Sequence, residues 1–351
     1  MLRHRDQYKI CFVLIRMYAK EICEGVKSMN LKKILLTLLK YAAYLFLIVV
    51  ISFILPRLIP GSPLNVLAGE GSGYTDTVPA AMLEAFEQYY SPNEPMHIQF
   101  FRYMRNLCRF DLGISLSHRT PVADRIAISI RWTLLLTIPT IVISTVLGLL
   151  LGVSMGLMKK KRGALLVPPL LTLQSIPTFL MAALAQIVLA YRLRLFPAIG
   201  SVTPGMLPGD EGYFLDMLEH MILPLAILII AEIPAIAIFS YNSTLRVKEM
   251  PYVAFAEYLN IDKRKIRWRY VVLNIMPDFL GRLNIQVVTC IVGSLFVETI
   301  FTYPGVGSLL RNSINYRDYT LMQGILLICS LYGVIVNVIF DIINARLASK
   351  S

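Results

Sequence analysis

Six long apolar stretches, separated by short charged segments, dominate the pattern of hydrophobic and polar positions along the chain. Each approaches the ~20 helical residues that cross a bilayer core of ~30 Å. The fifth stretch is the least apolar, and its position is inferred partly from its neighbours. No signal-peptide cleavage site follows the first stretch, so we expect it to remain as a membrane anchor. The pattern therefore predicts an all-α polytopic membrane protein with six transmembrane helices. The predicted spans are Ile34–Leu55, Trp132–Leu157, Leu165–Tyr191, Met221–Tyr241, Pro277–Phe301 and Leu321–Ala345.

Lysine and arginine alternate between the two sides of these spans. Residues 1–40 hold nine basic and three acidic residues, the loop 159–162 holds four basic and no acidic residues, and 244–269 holds seven and three. The intervening segments are neutral or acidic, with six basic and seven acidic residues in 57–130 and two and four in 192–219. Basic loops of membrane proteins remain in the cytoplasm. The count therefore predicts that both termini are cytoplasmic.

This topology divides the chain into segments of different character. The cap after the first helix has about 75 residues, and its stretch "MHIQFFRYMRNL" has the apolar spacing of a helix. Pro121 marks a second helix start there. The predicted segments are a cytoplasmic N-terminal segment (1–33), the first transmembrane helix (34–55), the extracytoplasmic cap (56–131), a five-helix core (132–345) that contains a cytoplasmic loop (244–276), and a cytoplasmic tail (346–351).

The N-terminal segment has its own pattern. Four apolar residues fall on one helical face with basic residues elsewhere, which is typical of an interfacial helix. Translation from an upstream start that is not normally used would explain the segment equally well. The apolar residues are Ile10, Val13, Leu14 and Met17.

Composition supports a membrane protein and excludes several other classes. The chain is 56% hydrophobic and only 16% charged, whereas soluble domains are about one quarter charged. The net charge of +12 falls in short clusters rather than in one patch, so nucleic-acid binding is not expected. The five cysteines form no CxxC pair, which argues against a zinc site or a disulfide framework. No nucleotide-binding or hydrolase motif is present, so we expect a non-catalytic chain that binds no metal or cofactor itself.

Several small or polar residues lie inside the predicted spans. Glycines four residues apart lie on one helix face and allow close packing of a second helix. A proline inside a span frees a carbonyl that nearby polar side chains can satisfy, and a carboxylate in mid-span usually faces a partner or a water-filled path. The packing candidates are Gly148, Gly152 and Gly156, and the candidate path residues are Gln174, Ser175, Pro177, Glu232 and Gln286. A structural role remains the alternative for two of the path candidates: a simple kink at Pro177, and a neutral or hydrogen-bonded Glu232 at a helix interface.

An ion pair is expected near the cytoplasmic end of the fifth span. Asp278 and Arg282 are four residues apart and can pair along one helix face. Anchoring at the membrane interface is the favoured role for this pair.

The cytoplasmic stretch "MPYVAFAEYLNIDKRKIRWRYVVLNIMP" resembles the EAA loop of binding-protein-dependent ABC transporter permeases. It is most similar to the B-type permease subunit of oligopeptide, dipeptide and nickel importers. Four further pieces occur in the family's order: "LIPGSP", "RFDLGISLSHRTPVADRI", "SIPTFL" and "ETIFTYPGVGSLLRNSINYRDYTLMQG". Asn260 replaces the family's glycine, and asparagine is the next most tolerant residue of left-handed backbone. Phe255 replaces a smaller residue.

The resemblance implies a mechanism for this loop. In the family the loop forms a short coupling helix that docks in a groove of a cytoplasmic ATPase. Four apolar residues at helical spacing, Tyr252, Phe255, Tyr258 and Leu259, would form the contact surface, and Asn260 would end the helix. The following cations would lie near anionic lipid headgroups. The expected docking residues are Tyr252, Phe255, Ala256, Glu257, Tyr258, Leu259, Asn260, Ile261, Asp262 and Lys263.

The resemblance also implies partners and a cellular location. The chain would be a multi-pass protein of the bacterial plasma membrane. It would pair with a second, homologous permease, two ATPase subunits that use ATP and Mg²⁺, and an extracytoplasmic solute-binding protein. The cargo would be a peptide or a related small solute, with a nickel or metal-chelate cargo as the alternative. A self-contained channel or secondary transporter is the alternative from another class, although the inverted repeats typical of such proteins are not evident.

Overall fold

A computed structural model of the chain describes residues 31–58, 89 and 94–348. Within these residues the chain is almost entirely helical and contains one short hairpin. Five helices are long and apolar enough to cross a membrane, and a sixth crossing results if one sharply bent helix pair counts as a single span. The predicted all-α, polytopic class is therefore confirmed. The expectations for residues 1–30, for much of the cap and for the last residues of the tail lie outside the described residues.

The first apolar stretch forms α1, Leu31–Arg57. The predicted cap helix forms α2, Met96–Leu107, directly after Pro95. Phe53 of α1 packs edge-on against Phe100 of α2, with ring centroids 5.2 Å apart, and Phe53 also belongs to a buried cluster with a leucine of the last helix. The part of the cap that the structure describes is thus fixed to the first and last helices. We call this end of the molecule the α2 end.

A hairpin precedes the second span. Strands β1, Ile114–Ser115, and β2, Thr120–Pro121, pair antiparallel. The helix α3, Val122–Leu157, begins directly after Pro121, whose backbone is extended with ψ 135°. It has 36 residues, about 54 Å at 1.5 Å per residue. The predicted span from Trp132 covers the apolar part of this helix. The helix itself begins ten residues earlier, in turns that carry charged residues.

The third predicted span is not one continuous helix. Its two halves are bent by 83° at a break around Pro177. Ile176 is extended, with ψ 121°, because the residue before a proline is driven out of the helical region. The sequence predicted a bend here but not a break of this size. The pieces are α4 (Lys160–Leu165), α5 (Val167–Ser175), α6 (Thr178–Ala185) and a π-helical segment, Gln186–Arg192.

The remaining helices complete the core. The fifth span runs over Lys263–Ile300, because a helical turn and a π-helical segment, Ile266–Val272, lead directly into its α-helix. The sequence pattern placed the start of the fifth span at Pro277, because the basic residues before Pro277 interrupt the apolar stretch. We call the end that carries this basic segment the α8 end. The helices are α7 (Tyr213–Lys248), α8 (Pro251–Tyr258), α9 (Leu273–Ile300), α10 (Val306–Asn315) and α11 (Tyr319–Ala348).

The most extensive helix pair is α3 with α7, and glycines lie at its contact. A Cβ added to Gly156 would lie 2.5 Å from the Cγ2 of Thr244, and one added to Gly152 would overlap the carbonyl oxygen of Ala237. Gly148 lies on the same face, where an added Cβ would meet α7 at 2.7 Å. The glycines therefore allow the two backbones to approach more closely than any side chain would permit.

A buried carboxyl organises the turn between α9 and α10. Glu298 has no exposed surface, and its Oε2 accepts a hydrogen bond of 2.7 Å from the backbone N–H of Gly307. Its own carbonyl accepts a bond of 2.8 Å from the N–H of Tyr303. A side chain at Gly305 would overlap the carboxyl. The Tyr303 ring lies edge-to-face on Trp132, with centroids 5.5 Å apart, so the turn is also packed against α3.

A second buried carboxyl joins the hairpin to the last helix. Asp318, 1% exposed, accepts hydrogen bonds from the Ser115 hydroxyl at 2.6 Å and from the Ser117 N–H at 3.0 Å. Its other oxygen caps α11 by accepting from the Leu321 N–H at 3.1 Å. The His118 ring lies 2.9 Å from the Ser117 hydroxyl, and burial is the main cause that lowers the pKa of His118. One carboxylate therefore holds a loop and a helix that are about 200 residues apart.

Substituting Gly152 by Ala should destabilise the protein by about 1–3 kcal/mol, because the new methyl group would overpack the α3–α7 contact. Gly333→Ala is the matched control, since an added Cβ there meets nothing within 4 Å. Thermal unfolding of the protein purified in detergent measures the difference. Equal midpoints for the two variants would contradict the close packing.

Substituting Asp318 by Ala should cost about 1–3 kcal/mol, since it leaves buried donors of the hairpin without an acceptor. Asp210→Ala is the control, because Asp210 is exposed and caps only a local turn, accepting from the N–H of Leu207. Limited proteolysis in the hairpin, together with the unfolding midpoint, reports the effect. A hairpin that is no more susceptible in Asp318→Ala than in the control would show that the contact is dispensable.

Candidate functional site

A short helix is present where the resemblance implies one, as α8, at the junction between the fourth and fifth spans. It begins after Met250 with Pro251 in its first turn, where a missing N–H costs nothing. It ends at Tyr258, and Asn260 shortly after it has a φ of 52°. The N–H of Ile261 donates to the carbonyl of Ala256 at 3.1 Å, and that of Asn260 donates to Glu257 at 3.0 Å. These two bonds form a Schellman motif, in which asparagine occupies the left-handed position.

One face of α8 is buried in the body of the protein. Val253 and Ala256 are 1% and 2% exposed. They belong to a cluster that joins α8 to α3, α7 and the start of the fifth span, and Ile261 packs against the same cluster just after the helix ends. The buried members are Val153, Val247, Val253, Ala256, Ile266, Val271, Val272 and Ile275. We call this set the loop-end cluster.

The opposite face of α8 is apolar and exposed. Tyr252, Phe255, Tyr258 and Leu259 expose 40%, 63%, 82% and 55% of their surface. We call these four residues the coupling ridge. An exposed, contiguous set of aromatic and aliphatic side chains on a helix that is firmly held behind is typical of an interaction surface.

The cations that follow the ridge extend into solvent. Lys263, Arg264 and Lys265 are all exposed, as are Glu257 and Asp262. The carboxylate of Asp262 caps the next helical turn by accepting from the backbone N–H of Arg264 at 3.4 Å. The basic segment is therefore a continuation of the fifth span rather than a free loop.

The candidate path residues of the third span lie at its break. Gln174, Ser175 and Pro177 are exposed on the surface of the chain. The Ser175 hydroxyl donates to the carbonyl of Leu171 at 2.8 Å, one turn back in the same helix. That carbonyl lies six residues before Pro177, and the carbonyl of Leu173, four residues before it, accepts from the N–H of Ile176 at 3.3 Å.

Gln286 lies elsewhere than expected for a path residue. It is fully buried, and its amide donates to the Ser144 hydroxyl at 2.7 Å and accepts from the Thr145 hydroxyl at 3.0 Å. Both partners are on α3. Gln286 therefore joins α9 to α3, and within this chain it faces a helix interface and not an open surface.

Charged residues line an open seam between α7 and α9. The predicted pair of Asp278 with Arg282 is wrong, because Asp278 pairs with Arg246 of α7 at 3.0 Å. A neighbouring helix offers the better geometry for the carboxylate. Arg282 instead interacts electrostatically with Glu232, which is half-buried on α7.

Sequence reasoning missed the two buried carboxyls at the α2 end. Glu298 and Asp318 both lie in a stretch that resembles the family, but the sequence pattern predicted no role for either. Gly305 and Gly307, two residues apart after an acidic residue, could have indicated a backbone turn wrapped closely around a carboxyl.

The chain matches a known protein family over residues 148–351, the binding-protein-dependent transport system inner membrane component. It is 26% identical to the glutathione transport system permease protein GsiC of Salmonella paratyphi A, over 90% of this chain and 97% of that protein. It is 27% identical to GsiC of Escherichia coli K12, over 86% and 93%. It is 26% identical to the oligopeptide transport system permease protein AppB of Bacillus subtilis, over 85% and 92%.

The family match covers more than half of the chain, and the similarity to these relatives extends over nearly all of it. The family's description fits the apolar helices of the fold, which make a multi-pass protein. The chain therefore belongs to the family of inner-membrane components of binding-protein-dependent transport systems and is a permease subunit of an ABC importer.

Proposed function

We propose that the chain is one of two permease subunits in a peptide importer that two cytoplasmic ATPases drive and an extracytoplasmic binding protein supplies. The observation that carries this proposal is the coupling ridge. Its exposed aromatic side chains lie on a helix whose other face is locked into the loop-end cluster. A push on the ridge would therefore move α3, α7 and the fifth span together.

A protein groove is the occupant that suits the ridge. Burying one such side chain stabilises a complex by about 1.5–3 kcal/mol. Aromatic anchors of this kind are the usual hot spots of protein interfaces. The exposed cations at 263–265 lie directly after the ridge and suit the rim of the contact, where they would meet acidic groups or lipid phosphates. ATP and Mg²⁺ would be bound by the ATPases, and this chain would be non-catalytic and bind no cofactor.

A second, homologous permease would supply the other half of the path. The break near Pro177 and the charged seam between α7 and α9 are both open in the isolated chain. Exposing polar or charged groups of this kind to lipid is energetically unfavourable. Such a surface therefore suits contact with another subunit. We therefore favour a heterodimer of two similar permeases, with the path along their contact.

The proposed cargo is a peptide or a related small solute. The relatives named above are transport system permeases for glutathione and for oligopeptides, as their names state. A nickel chelate is the alternative within the family, but no particular observation on this chain favours it. Membership of a binding-protein-dependent family leaves no role for a self-contained channel or secondary transporter.

The proposed topology has six spans, both termini in the cytoplasm and the cap outside. The basic α8 end would face the cytoplasm, as the positive-inside rule requires. The bent helix pair would count as the third span. The α2 end, with its hairpin and the turn around Glu298, would then meet the binding protein.

A membrane-impermeant thiol reagent applied to intact cells should label Cys108, which is exposed at the α2 end. Cys11 and Cys23 should react only after the membrane is permeabilised, because the charge count places them inside. Mass spectrometry of the labelled peptides identifies the sites. Labelling of Cys11 on intact cells would reverse the proposed orientation.

Replacing Tyr258 and Leu259 together by Ala should weaken ATPase binding by at least about tenfold, since two buried anchors are lost. Insertion in the membrane should stay normal, because both side chains point away from the loop-end cluster. Copurification of the ATPase subunits, measured beside peptide uptake, reports the loss.

The matched control replaces Lys263 and Lys265 by Gln. These cations are exposed, and exposed ion pairs contribute only about 0–1 kcal/mol. ATPase binding should therefore fall by much less than in the ridge variant. The opposite ranking would mean that the segment docks by charge and that the ridge has another role.

A further inference from the structure

The seam between α7 and α9 differs from the rest of the exposed surface of the chain. On α3, the exposed residues of the middle turns are apolar, as expected against lipid: Leu134, Ile138, Val142, Val146 and Leu150. The exposed or half-exposed positions of the seam include charged and polar groups: Glu232, Asn242, Arg246, Asp278, Arg282 and Thr289. The seam therefore suits contact with water or with polar groups rather than with lipid.

Two of these charges lack direct partners. Among the described residues, neither Glu232 nor Arg282 makes a hydrogen bond or an ion pair within 4.0 Å, in contrast to Arg246 and Asp278, which pair at 3.0 Å. The opposite charges of Glu232 and Arg282 still attract each other over a longer distance. An unpaired carboxylate and an unpaired guanidinium at membrane depth usually mark a path for a polar solute.

The helix register gives the offset of the two residues along the helix axis. The Cδ2 atom of Leu228 on α7 lies 3.9 Å from the Cβ position of Gly293 on α9. Because the helices run antiparallel, Glu232 lies four residues nearer the α8 end, level with residue 289. Arg282 lies seven residues further in that direction, which is about 10 Å at 1.5 Å per residue.

This spacing matches a short extended peptide. Three residues of extended chain span about 10 Å. Such a peptide carries an ammonium group at one end and a carboxylate at the other, which complement a carboxylate and a guanidinium. Gly281 leaves open space beside Arg282, since a Cβ added there would meet nothing within 4 Å.

We propose that Glu232 and Arg282 are the two poles of a transient site in the translocation path for zwitterionic peptides of about three residues. Glu232 receives the free amino terminus and Arg282 the free carboxylate. The inference rests on the proposed peptide cargo and adds to it the two contact residues and the required end groups. The alternative is that the two charges only balance each other at the interface with the second permease.

The test measures uptake of trialanine, N-acetyl-trialanine and trialanine amide by the complete importer in cells that lack other peptide importers. Each variant is compared with the wild-type chain for each peptide, so that the preference of the binding protein cancels. Arg282→Gln should lower trialanine uptake about tenfold, the loss expected for one charge-assisted contact. It should leave uptake of the amide unchanged, because the amide has no carboxylate to lose.

Glu232→Gln should give the mirror pattern, with reduced uptake of trialanine and of the amide but unchanged uptake of the N-acetyl peptide. Arg282→Lys should retain most uptake of trialanine. Arg131→Gln is the control for loss of a cation, since Arg131 is exposed on α3, away from the seam. It should leave all three uptakes unchanged.

Equal loss for all three peptides, or no loss for any, would overturn the site and favour simple charge balance. No uptake of any peptide by the assembled wild-type importer would instead overturn the peptide cargo, and the site with it. If the Gln variants fail to assemble, cysteines placed beside the two charges, at 281 and 289, in a chain whose own cysteines are changed to Ser give a second measurement. Trialanine should protect both from a hydrophilic thiol reagent during turnover, and absence of protection would overturn the proposal.

Discussion

The close contact between α3 and α7 is the interaction on which the rest of the molecule depends. Inside a bilayer, association of helices gains little from the hydrophobic effect, so dense packing and hydrogen bonds must hold them. Gly152 lets the backbone of α3 reach the carbonyl of Ala237. Two further long helices are attached to this pair, α9 through Gln286, and α11 through Asp318 and the hairpin that leads into α3. The first helix, α1, packs in turn on α11.

The same pair connects the two ends of the chain. At the α8 end, Val153 of α3 and Val247 of α7 belong to the loop-end cluster that holds α8. At the α2 end, Trp132 of α3 packs on Tyr303 in the turn around Glu298. Because α3 and α7 are each 36 residues long, they extend past both faces of a bilayer core of ~30 Å. The two helices thus connect α8 directly with the turn around Glu298 at the other end.

Much of this architecture follows from patterns in the sequence. The apolar stretches predicted the order of the long helices, the glycines on α3 predicted a packed face, and Asn260 predicted the end of α8, because each depends on residues close together along the chain. The second and fifth long helices extend several turns before the predicted apolar spans, since those turns carry charged residues. Gln286, Asp278 and Asp318 were misjudged or overlooked because their partners, Ser144, Arg246 and Ser115, are distant in sequence. Periodicity contains no information about such pairings.

The break at Pro177 also bears on how the protein is made. It interrupts a membrane-embedded helix and leaves Ile176 extended, so backbone groups that a continuous helix would satisfy need partners from outside the segment. In a chain alone in the bilayer, those groups face lipid. If the chain pairs with a second permease as proposed, a copy made in excess of that partner would be poorly accommodated by lipid and open to membrane proteases. Balanced synthesis of the two subunits would then be a requirement that the fold itself imposes.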